Sequence, residues 1–472
     1  MRAVLLDPRD LKARTYLAMA ERIAGRATEA RQHLDSVLRQ VPTDYLALSE
    51  QGASSELWRL LAREPDSVLE LAFDYAAAGR TQEAAEVLEL AIAKAAGKPY
   101  PMLHYTLGYF YQQRGDKTRA ASQYALGAKG DPAFVSPHRV EEIAVLEAAR
   151  AANPNDGRAA YYLGNALASK NRATEALAAW REAARLDPSN AVAHRNLAWA
   201  LASLAGNKEE ALSEYERAIR AAPNEFHLYL ETDQLLASIK ATDRRIKLLT
   251  EAPQTVRSRP SILLALAAAY VDAERFSEAA PLLEGTQFTS GEGENSALAV
   301  FRRAHLGLAR NYQRAGQHEK AAAEFLRATD YPRNLGVGRS SRQSQARELI
   351  AAARELEAAG SPVQAQTLWR RAAEGPSGTP SEPGDRINEQ HYFQALALER
   401  VGRQQDARAL YTRLAALKDE SDRGGRAMRL ILTGLGLKGL GQKDQARAAL
   451  QRALKLDPSN ELVVTTLKEL EQ

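Results

Sequence analysis

The stretch Asn155–Asn190 constrains the structure of this chain more than any other part of its sequence. Small and apolar residues recur in it at intervals of three and four, which is the spacing of one face of a helix. The pattern predicts a first helix over about 158–169 and a second over about 174–186. Pro188 ends the second helix, because proline has no backbone N–H to donate and its ring clashes with the preceding turn. The stretch therefore predicts a helical hairpin.

The sizes of three side chains indicate how this hairpin packs. Gly164 and Ala176 are small where two helices must approach closely, and Trp180 is large enough to fill the space beside them. Pro154 stands 34 residues before Pro188, at the equivalent place. A helical hairpin with small-large-small packing and a 34-residue period resembles the tetratricopeptide repeat, or TPR.

Similar hairpins follow one another along most of the chain, so we predict an all-α fold, a right-handed α-solenoid of stacked TPR helical hairpins. In residues 1–374 the recognisable repeats begin near positions 11, 65, 101, 157, 191, 260, 302 and 346. The segment 375–386 is rich in Gly, Ser and Pro and predicts a flexible loop. Residues 387–472 hold further repeats of the same solenoid and a final polar helix, which is predicted to cap the last apolar face.

Several segments depart from this pattern. Residues 45–64 and 225–256 are helical in character but lack the small residues of the repeat, and residues 133–153 hold one clear helix. The segment 286–295 contains too much glycine and serine for a helix and predicts a loop.

Composition argues against several classes of function. With 63 basic and 59 acidic side chains the net charge is +4, which indicates a mixed surface rather than the basic patch of a nucleic-acid-binding protein. No apolar run approaches the roughly 18 residues of a membrane-spanning helix, and the first residues have too short an apolar run for a secretory signal. The chain has no cysteine and therefore no thiol chemistry. We expect a cytoplasmic protein with no nucleic-acid and no membrane partner.

Beyond the generic repeat, several stretches resemble the TPR tail of a family of large bacterial proteins. The resemblance is carried mainly by two non-repeat pieces, PHRVEEIAVLE (137–147) and DYPRNLGVGR (330–339), and also by YPMLHYTLGYFYQQRGD (100–116) and GEGE (291–294). In that family a domain of unknown function, similar to sugar-mutarotase β-sandwiches, precedes the tail. The resemblance implies no catalytic residues in the tail, and it implies a sandwich domain, missing from this chain, as an additional partner.

The first residues lead to the same expectation. Ala3–Pro8 matches the end of a second helix of the repeat, although no first helix precedes it. Leu5 and Leu6 would therefore lie at a helix end whose outer side has no partner. We expect the chain to be the tail of a longer or split protein, with its N-terminal face docked against the missing module.

The residue types that carry enzymatic or metal chemistry occur in patterns that fit packing better. His104, His194, His305 and His391 fall at the fourth position of their repeats, where adjacent copies lie about 10 Å apart. Zinc requires nitrogen ligands about 2.0–2.1 Å from one ion, so these histidines are predicted to be half-buried packing residues. The chain also has no Gly-x-Ser-x-Gly and no His-Glu-x-x-His motif. We therefore predict no enzyme activity, no catalytic residue, no metal site and no cofactor.

The most informative surface is the inner face of the first helices, which lines a concave groove in TPR proteins. The equivalent positions here predict a ligand-binding groove formed by Tyr105, Tyr109, Tyr161, Asn165, Arg195 and Trp199. Aromatic rings interleaved with amide and guanidinium groups suit an extended peptide, because rings pack on its side chains while Asn and Arg bond its backbone or carboxylates. Asn165 and Asn196 also match two positions of the carboxylate clamp of chaperone-binding TPR proteins, but Tyr161 stands where that clamp has a lysine.

Two functions remain open from the sequence. The first is a non-catalytic TPR scaffold that binds a protein or peptide partner in its concave groove. The second is a recruiting or substrate-binding tail of a carbohydrate-active assembly whose catalytic domain is absent from this chain, since the same rings could stack on sugars. The even balance of charge speaks against a third, an RNA-binding helical repeat.

Overall fold

A computed structural model describes residues 4, 6–7, 9–62, 64–95, 97, 99–131, 134–288, 294–338, 345–374, 387–417 and 423–471. Every regular element in these ranges is a helix, and no strand occurs among them. The predicted all-α fold is therefore confirmed. The predicted loop at 375–386 lies outside the described residues, and the proposed division of the chain at that loop stays a prediction.

The chain divides into two compact units, Met1–Leu235 and Leu236–Gln472. The helices up to this boundary are α1 (Leu11–Ile23), α2 (Ala27–Gln40), α3 (Tyr45–Gln51), α4 (Ser54–Leu61), α5 (Pro65–Ala77), α6 (Thr81–Lys94), α7 (Pro101–Gln113), α8 (Lys117–Ala128), α9 (Val140–Ala152), α10 (Gly157–Ser169), α11 (Ala173–Leu186), α12 (Ala191–Ser203), α13 (Lys208–Ala221) and α14 (Phe226–Ser238), which contains it. The helices after it are α15 (Thr242–Thr250), α16 (Gln254–Arg257), α17 (Pro260–Asp272), α18 (Phe276–Gly285), α19 (Glu294–Arg314), α20 (His318–Arg327), α21 (Ala346–Ala358), α22 (Pro362–Glu374), α23 (Glu389–Arg400), α24 (Gln404–Ala415), α25 (Arg423–Gly439), α26 (Lys443–Leu456) and α27 (Glu461–Glu471).

Consecutive helices pack as pairs, and α10 with α11 is the hairpin that the sequence predicts. Each of the two helices begins one residue before its predicted start and ends where predicted. Ala176 is fully buried between them. A Cβ built on Gly164 would lie 2.4 Å from the Trp180 ring, so only glycine leaves room for the indole. The small-large-small packing read from the sequence is therefore confirmed.

The turn between α7 and α8 shows how one helix ends and the next begins. Gly115 has a φ of +82°, a left-handed conformation that glycine adopts more readily than other residues. The Asp116 carboxylate then accepts a hydrogen bond from the Arg119 backbone N–H at 3.0 Å and caps α8. Two adjacent residues thus stop the first helix of a repeat and start the second.

Helix α9 interrupts the alternation of hairpins. It is the single helix predicted within residues 133–153, and it packs against α7 and α10. Glu142 is fully buried, and one of its carboxylate oxygens accepts from the backbone N–H groups of His138 and Arg139 at 2.8 and 2.7 Å. Part of the motif PHRVEEIAVLE is therefore explained by the need to cap a helix that has no hairpin partner.

Two non-repeat segments of the second unit pack against each other. The Asn334 side-chain Nδ2 donates to the carbonyl oxygens of Leu283 and Thr286, both at 2.8 Å. The Phe288 N–H in turn donates to the Asn334 carbonyl oxygen at 2.7 Å. Leu335 and Phe288 are buried in the same apolar cluster. Within the described residues, the predicted loop after α18 and the family-like segment after α20 therefore form one substructure.

The last helix, α27, packs against α26 and buries Val463 and Leu470, which agrees with the predicted final polar helix. At the start of the chain, positions 3, 5 and 8 lie outside the described residues. The helix end predicted there, and the docking of that face against another module, stay predictions.

Candidate functional site

The predicted groove residues lie on the first helices of three hairpins of the first unit: Tyr105 and Tyr109 on α7, Tyr161 and Asn165 on α10, and Arg195 and Trp199 on α12. Some of them join a continuous hydrogen-bonded chain, and others are packing residues.

The amide of Asn165 is the centre of this chain. Its Nδ2 donates to the Val135 carbonyl oxygen at 3.0 Å, in the segment that precedes α9. Its Oδ1 accepts from Trp180 Nε1 and from Asn196 Nδ2, both at 3.0 Å. Because Gly164 places the indole beside α10, the packing of the hairpin also orients the amide. Asn165 therefore connects α10, α11, α12 and the segment before α9.

Arg195 extends the chain to the next first helix. One of its terminal nitrogens donates to Asn196 Oδ1 at 3.1 Å, while Nε and the other terminal nitrogen donate to the Glu231 carboxylate on α14 at 2.8 and 2.6 Å. The hydrogen bonds to Glu231 raise the pKa of the Arg195 guanidinium above its ordinary value. The pair is bidentate, the arrangement in which arginine and carboxylate fix each other's orientation most firmly. Asn165, Asn196, Arg195 and Glu231 form what we call the polar chain.

Tyr105 is a packing residue rather than part of an open surface. Its side chain is fully buried, and its hydroxyl donates to Asp156 Oδ2 at 2.9 Å. A Cβ on Gly127 would lie 2.8 Å from its ring, so the ring occupies the space that this glycine leaves. Burial raises the pKa of the Tyr105 hydroxyl. Asp156 also caps α10 by accepting from the Ala159 N–H at 2.9 Å, which couples the ring to the start of that helix.

The other predicted residues differ in how accessible they are. Tyr161 is buried, with 4% of its surface exposed, and burial raises the pKa of its hydroxyl. Tyr109 and Asn165 are half-buried. The Arg195 side chain is 40% exposed and Trp199 is 44% exposed. The accessible members are therefore Tyr109, on α7, and the group formed by Asn165, Arg195 and Trp199, on α10 and α12.

Two members of the polar chain were not among the predicted groove residues. The sequence singles out Asn196 only as a match to the carboxylate clamp, and Glu231 lies in the stretch 225–256, which lacks the small residues of the repeat. A signal for Glu231 exists in the sequence, because it follows Arg195 by 36 residues, close to one repeat period. Opposite charges one repeat apart on first helices are expected to face each other.

The repeated histidines have local partners. His104 Nδ1 lies 2.7 Å from Gln123 Oε1, His194 Nδ1 lies 2.6 Å from Glu214 Oε2, and His305 Nδ1 lies 2.6 Å from Glu324 Oε2. Each of the three pairs joins the two helices of one hairpin, and all three histidines are buried. These three are therefore packing residues as predicted, although they are buried rather than half-buried. The fourth, His391, is half-buried, and its Nδ1 lies 3.2 Å from Asn388 Oδ1 at the start of its own helix, not on the second helix of the hairpin. In the described ranges no three His, Asp or Glu side chains are grouped so that they could hold a metal ion. None of the helices in these ranges combines the length and the apolar composition that a membrane span requires.

Family models recognise repeats in three parts of the chain. The model described as tetratricopeptide repeat matches residues 2–45 and a second of that description matches residues 435–460. The model described as TPR repeat matches residues 164–204, which contain Asn165, Trp180 and Arg195. No curated protein matches the chain.

Several solved structures are similar to parts or most of the chain. Pseudomonas aeruginosa pilF shares 18% identity over 46% of this chain and 88% of its own, with a TM-score of 0.26. YrrB, described as a TPR protein with an unusual peptide-binding site, shares 20% identity over 49% of this chain and 96% of its own, with a TM-score of 0.20. The TPR domain of P58(IPK) shares 10% identity over 98% of this chain and 97% of its own, with a TM-score of 0.27.

Because these TM-scores are low, the identification of tetratricopeptide repeats rests on the family models and on the hairpin packing. Both place repeats in the first unit, and the family model over 164–204 includes the centre of the polar chain. The chain therefore contains tetratricopeptide repeats, and the candidate site lies on the first helices of successive hairpins.

Proposed function

We propose that this chain is a non-catalytic scaffold that binds an extended peptide segment of a protein partner on the first-helix face of α10 and α12. The observation that carries the proposal is the polar chain beside an exposed tryptophan. Asn165, Asn196 and Arg195 are held in place by bonds among themselves and to Glu231. A binding face whose polar groups are already oriented loses less side-chain entropy when a ligand arrives.

The polar chain retains hydrogen-bonding capacity after its internal bonds are counted. An arginine carries five N–H donors, and the bonds of Arg195 to Glu231 and Asn196 engage three of them. Asn196 uses one of its two Nδ2 hydrogens in its bond to Asn165. The remaining donors suit the carbonyl groups of a peptide backbone, which recur along an extended strand.

Trp199 supplies the apolar part of the same face. It follows Asn196 by three residues and Arg195 by four on α12, so the three side chains share one side of the helix. An exposed tryptophan offers a large, rigid contact surface and is enriched among the residues that dominate binding energy at interfaces. The face therefore combines backbone recognition with one apolar anchor.

A peptide-display selection tests this proposal. A random peptide library would be selected on the full chain, and the enriched peptides would be measured by fluorescence anisotropy against Trp199→Ala and Asn196→Ala. We expect Trp199→Ala to weaken binding by at least about tenfold, since a dominant interface residue contributes about 2 kcal/mol or more. Asn196→Ala should have a smaller effect in the same direction.

The matched control is Val363→Ala, because Val363 is an exposed apolar residue on α22, in the second unit and far in sequence from the polar chain. It should leave peptide binding unchanged, and all variants should keep the helical circular dichroism of the parent. If the enriched peptides bind Trp199→Ala and Asn196→Ala as tightly as the parent chain, the proposed face is not the binding site.

The alternative, a recruiting tail of a carbohydrate-active assembly, makes a different prediction for the same variants. An oligosaccharide array would then give ligands that depend on Trp199, because an indole face can stack on a sugar ring. The sandwich domain that the family resemblance implies would be the partner in that case, and its addition in trans should produce a complex.

A further inference from the structure

An open cavity of about 430 Å³ in the first unit has no role in the function proposed above. It lies between the ends of α4 and α6 and the starts of α5 and α7, and residues 131 and 134–135 form its remaining edge. This volume falls in the range of pockets that hold small molecules, so the cavity has room for a large side chain. We call it the apolar hole.

The lining of the apolar hole is made mostly of apolar and aromatic side chains. Leu61, Val68 and Leu103 line it and are themselves buried, while Trp58 and Tyr100 are half-buried. Neighbouring helices thus hold this lining in place before any occupant arrives. An apolar side chain that entered the hole would exchange contact with water for contact with a preformed apolar wall.

Phe134 stands at the rim of the apolar hole with its ring outside it. It is one of the lining residues, yet its side chain is fully exposed. Its φ is +60°, a left-handed conformation that bulky residues rarely adopt. In the isolated chain this residue therefore combines an unfavourable backbone conformation with an unburied ring. Such outliers persist where the surrounding structure imposes them, and they cluster at binding sites.

The backbone beside this ring is anchored. Val135 is buried and lines the apolar hole, and its carbonyl oxygen accepts from Asn165 Nδ2 at 3.0 Å. The residue after Phe134 is therefore fixed to α10. A ring held out from an anchored segment loses little freedom when it is buried by a partner, and this loss is a main cost of association.

A projecting ring and a hole on one face are complementary to a second copy of that face. Because Phe134 belongs to the rim, a two-fold axis close to the rim carries each ring to the hole of the other copy, and the contact closes on itself. Among the described lining residues the charged ones are Lys94 and Asp131, whose formal charges cancel. Two copies of the face therefore carry no net charge that would keep them apart.

We propose that this face forms a two-fold homodimer in which Phe134 of each copy enters the apolar hole of the other. An aromatic side chain buries about 150–250 Å², so two insertions, counted on both partners, remove roughly 600–1,000 Å² from water. A standard stable interface buries about 1,600 Å², and areas below about 1,200 Å² belong to weak, reversible complexes. The dimer is therefore expected to form and dissociate at micromolar concentrations.

Sedimentation velocity of the full chain, from low to high micromolar concentration, tests the dimer. Phe134→Asp should raise its Kd at least about a hundredfold, because two buried rings are lost per dimer and each contributes about tenfold or more. The matched control is Val363→Asp, which makes the same charge change at an exposed apolar position of α22 and should alter the Kd by less than about twofold. A parent chain that stays monomeric, or equal Kd values for Phe134→Asp and the parent, overturns the proposal.

Mixing two defective variants tests the reciprocal insertion itself. Ala95→Trp narrows the hole from a half-buried lining position and leaves Phe134 in place. Ala62→Trp does the same from an exposed lining position, in case the first variant is poorly folded. Each variant alone loses both insertions, whereas a mixture of Phe134→Asp with either retains one. The mixed pair should associate at least about tenfold more tightly than each variant with itself, and less tightly than the parent. No gain on mixing overturns the proposal.

A short peptide with one phenylalanine, Ala-Ala-Phe-Ala-Ala, distinguishes a second copy from another protein as the occupant. We expect it to dissociate the dimer only at concentrations far above the dimer Kd, because it brings one ring and no second contact. A monomeric parent that binds this peptide, and loses it in Ala95→Trp, would reassign the hole to a foreign apolar segment and overturn the dimer. Trp199→Ala should leave dimerisation unchanged, so failure of the peptide-binding face and failure of the dimer are distinguishable.

Discussion

Two clusters of arginine and carboxylate, one in each unit, are built in different ways. In the first unit the guanidinium of Arg195 meets one carboxylate, Glu231, and one amide, so its charge is balanced within the site. In the second unit Arg245 on α15 and Arg303 on α19 both donate to the carboxylate of Asp272 on α17. The same side chain thus orients an amide in one place and joins three helices through a shared carboxylate in the other.

This comparison shows that the second partner of the cluster decides what an arginine contributes. Where that partner is an amide, as Asn196 is for Arg195, the guanidinium orients further polar groups on the same face. Where two arginines meet on one carboxylate, as at Asp272, the carboxylate holds together the helices that carry them. Changes at the first cluster are therefore expected to act mainly on ligand binding, and changes at the second mainly on stability.

The largest expected effect comes from destroying the hairpin that holds the polar chain. Ala176→Arg should cost more than about 3 kcal/mol, since overpacking costs about 1–3 kcal/mol and an unpaired buried charge costs about 2 kcal/mol or more in addition. Urea unfolding followed by circular dichroism measures this, and peptide binding at the polar chain should disappear. Ala178→Arg is the control on the same helix, because Ala178 is exposed, and its effect should stay within about 0.5 kcal/mol. Equal losses for the two variants would reject the repeat register.

A smaller effect concerns two glycines, one in each unit, that leave room for an aromatic ring. Gly164→Ala and Gly307→Ala each bring a Cβ within 2.4 Å of an aromatic ring, Trp180 in the first case and Phe276 in the second. Overpacking destabilises the fold by about 1–3 kcal/mol, and the higher helix propensity of alanine restores up to about 1 kcal/mol. The free energy of unfolding of each variant should therefore be about 1–2 kcal/mol lower than that of the parent chain.

The comparison is sharpened by measuring peptide binding at the polar chain on both variants. Gly164→Ala should weaken it, because Trp180 bonds Asn165, and Gly307→Ala should leave it unchanged. Gly285→Ala is the control, since nothing lies within 4 Å of its added Cβ. Equal weakening by Gly164→Ala and Gly307→Ala would show that the substitutions act through general destabilisation.

The smallest effect concerns the pH dependence of stability, where Asp156 and Asp272 should act in opposite directions. Burial raises the pKa of Asp156, although hydrogen bonds from Ala159 and Tyr105 oppose the rise. The Asp156 carboxyl therefore binds its proton more tightly in the folded chain than in the unfolded chain. It adds to folding stability as pH falls through the raised pKa towards the unfolded-state pKa of about 3.9. Asp272 has a lowered pKa, so its contribution is present above about pH 3.9 and is lost as pH falls through the folded pKa.

Asp156→Asn and Asp272→Asn test these signs. Relative to the parent chain, Asp272→Asn should be destabilised at neutral pH and the difference should shrink on acidification. Asp156→Asn, which keeps an acceptor for the Tyr105 hydroxyl, should be equal or more stable at neutral pH, and its difference should also vanish in acid. The urea midpoint of each variant would be measured by tryptophan fluorescence between about pH 3 and pH 7. Each measurement uses a chain that retains tryptophan in only one of the two units, and in the second unit this tryptophan is Trp369. Shifts of the same sign for both variants would contradict the assignment.

The sequence was sufficient for features set by neighbouring residues. Gly164 beside Trp180 and the stop before Pro188 depend on side-chain size and on proline's missing donor, so they can be read locally and the structure confirms them. The buried histidines follow from their fixed place in the repeat, because that place faces the second helix of the same hairpin. Repetition makes such features predictable, because the same local pattern of residues recurs in each copy of the repeat.

Features that join distant or irregular elements were not predictable in the same way. Tyr105 shares its repeat position with residues of the groove, yet Gly127 leaves space for its ring and Asp156 accepts its hydroxyl 51 residues away. Asp272 joins arginines 27 residues before it and 31 after it, on elements with no common motif. Periodicity predicts the face of a helix on which a residue lies. How deeply its side chain is buried depends instead on which neighbouring residue leaves room for it.

The Asn334 amide has a consequence for how relatives of this chain can differ. It ties together two insertions that lie about fifty residues apart in sequence, through the carbonyl groups of Leu283 and Thr286. A relative that lost one insertion and kept the other would leave either a donor or two acceptors without a partner at the edge of an apolar cluster. The two segments should therefore be inherited, lost or transplanted as one block, and a repeat protein engineered from this scaffold should carry both or neither.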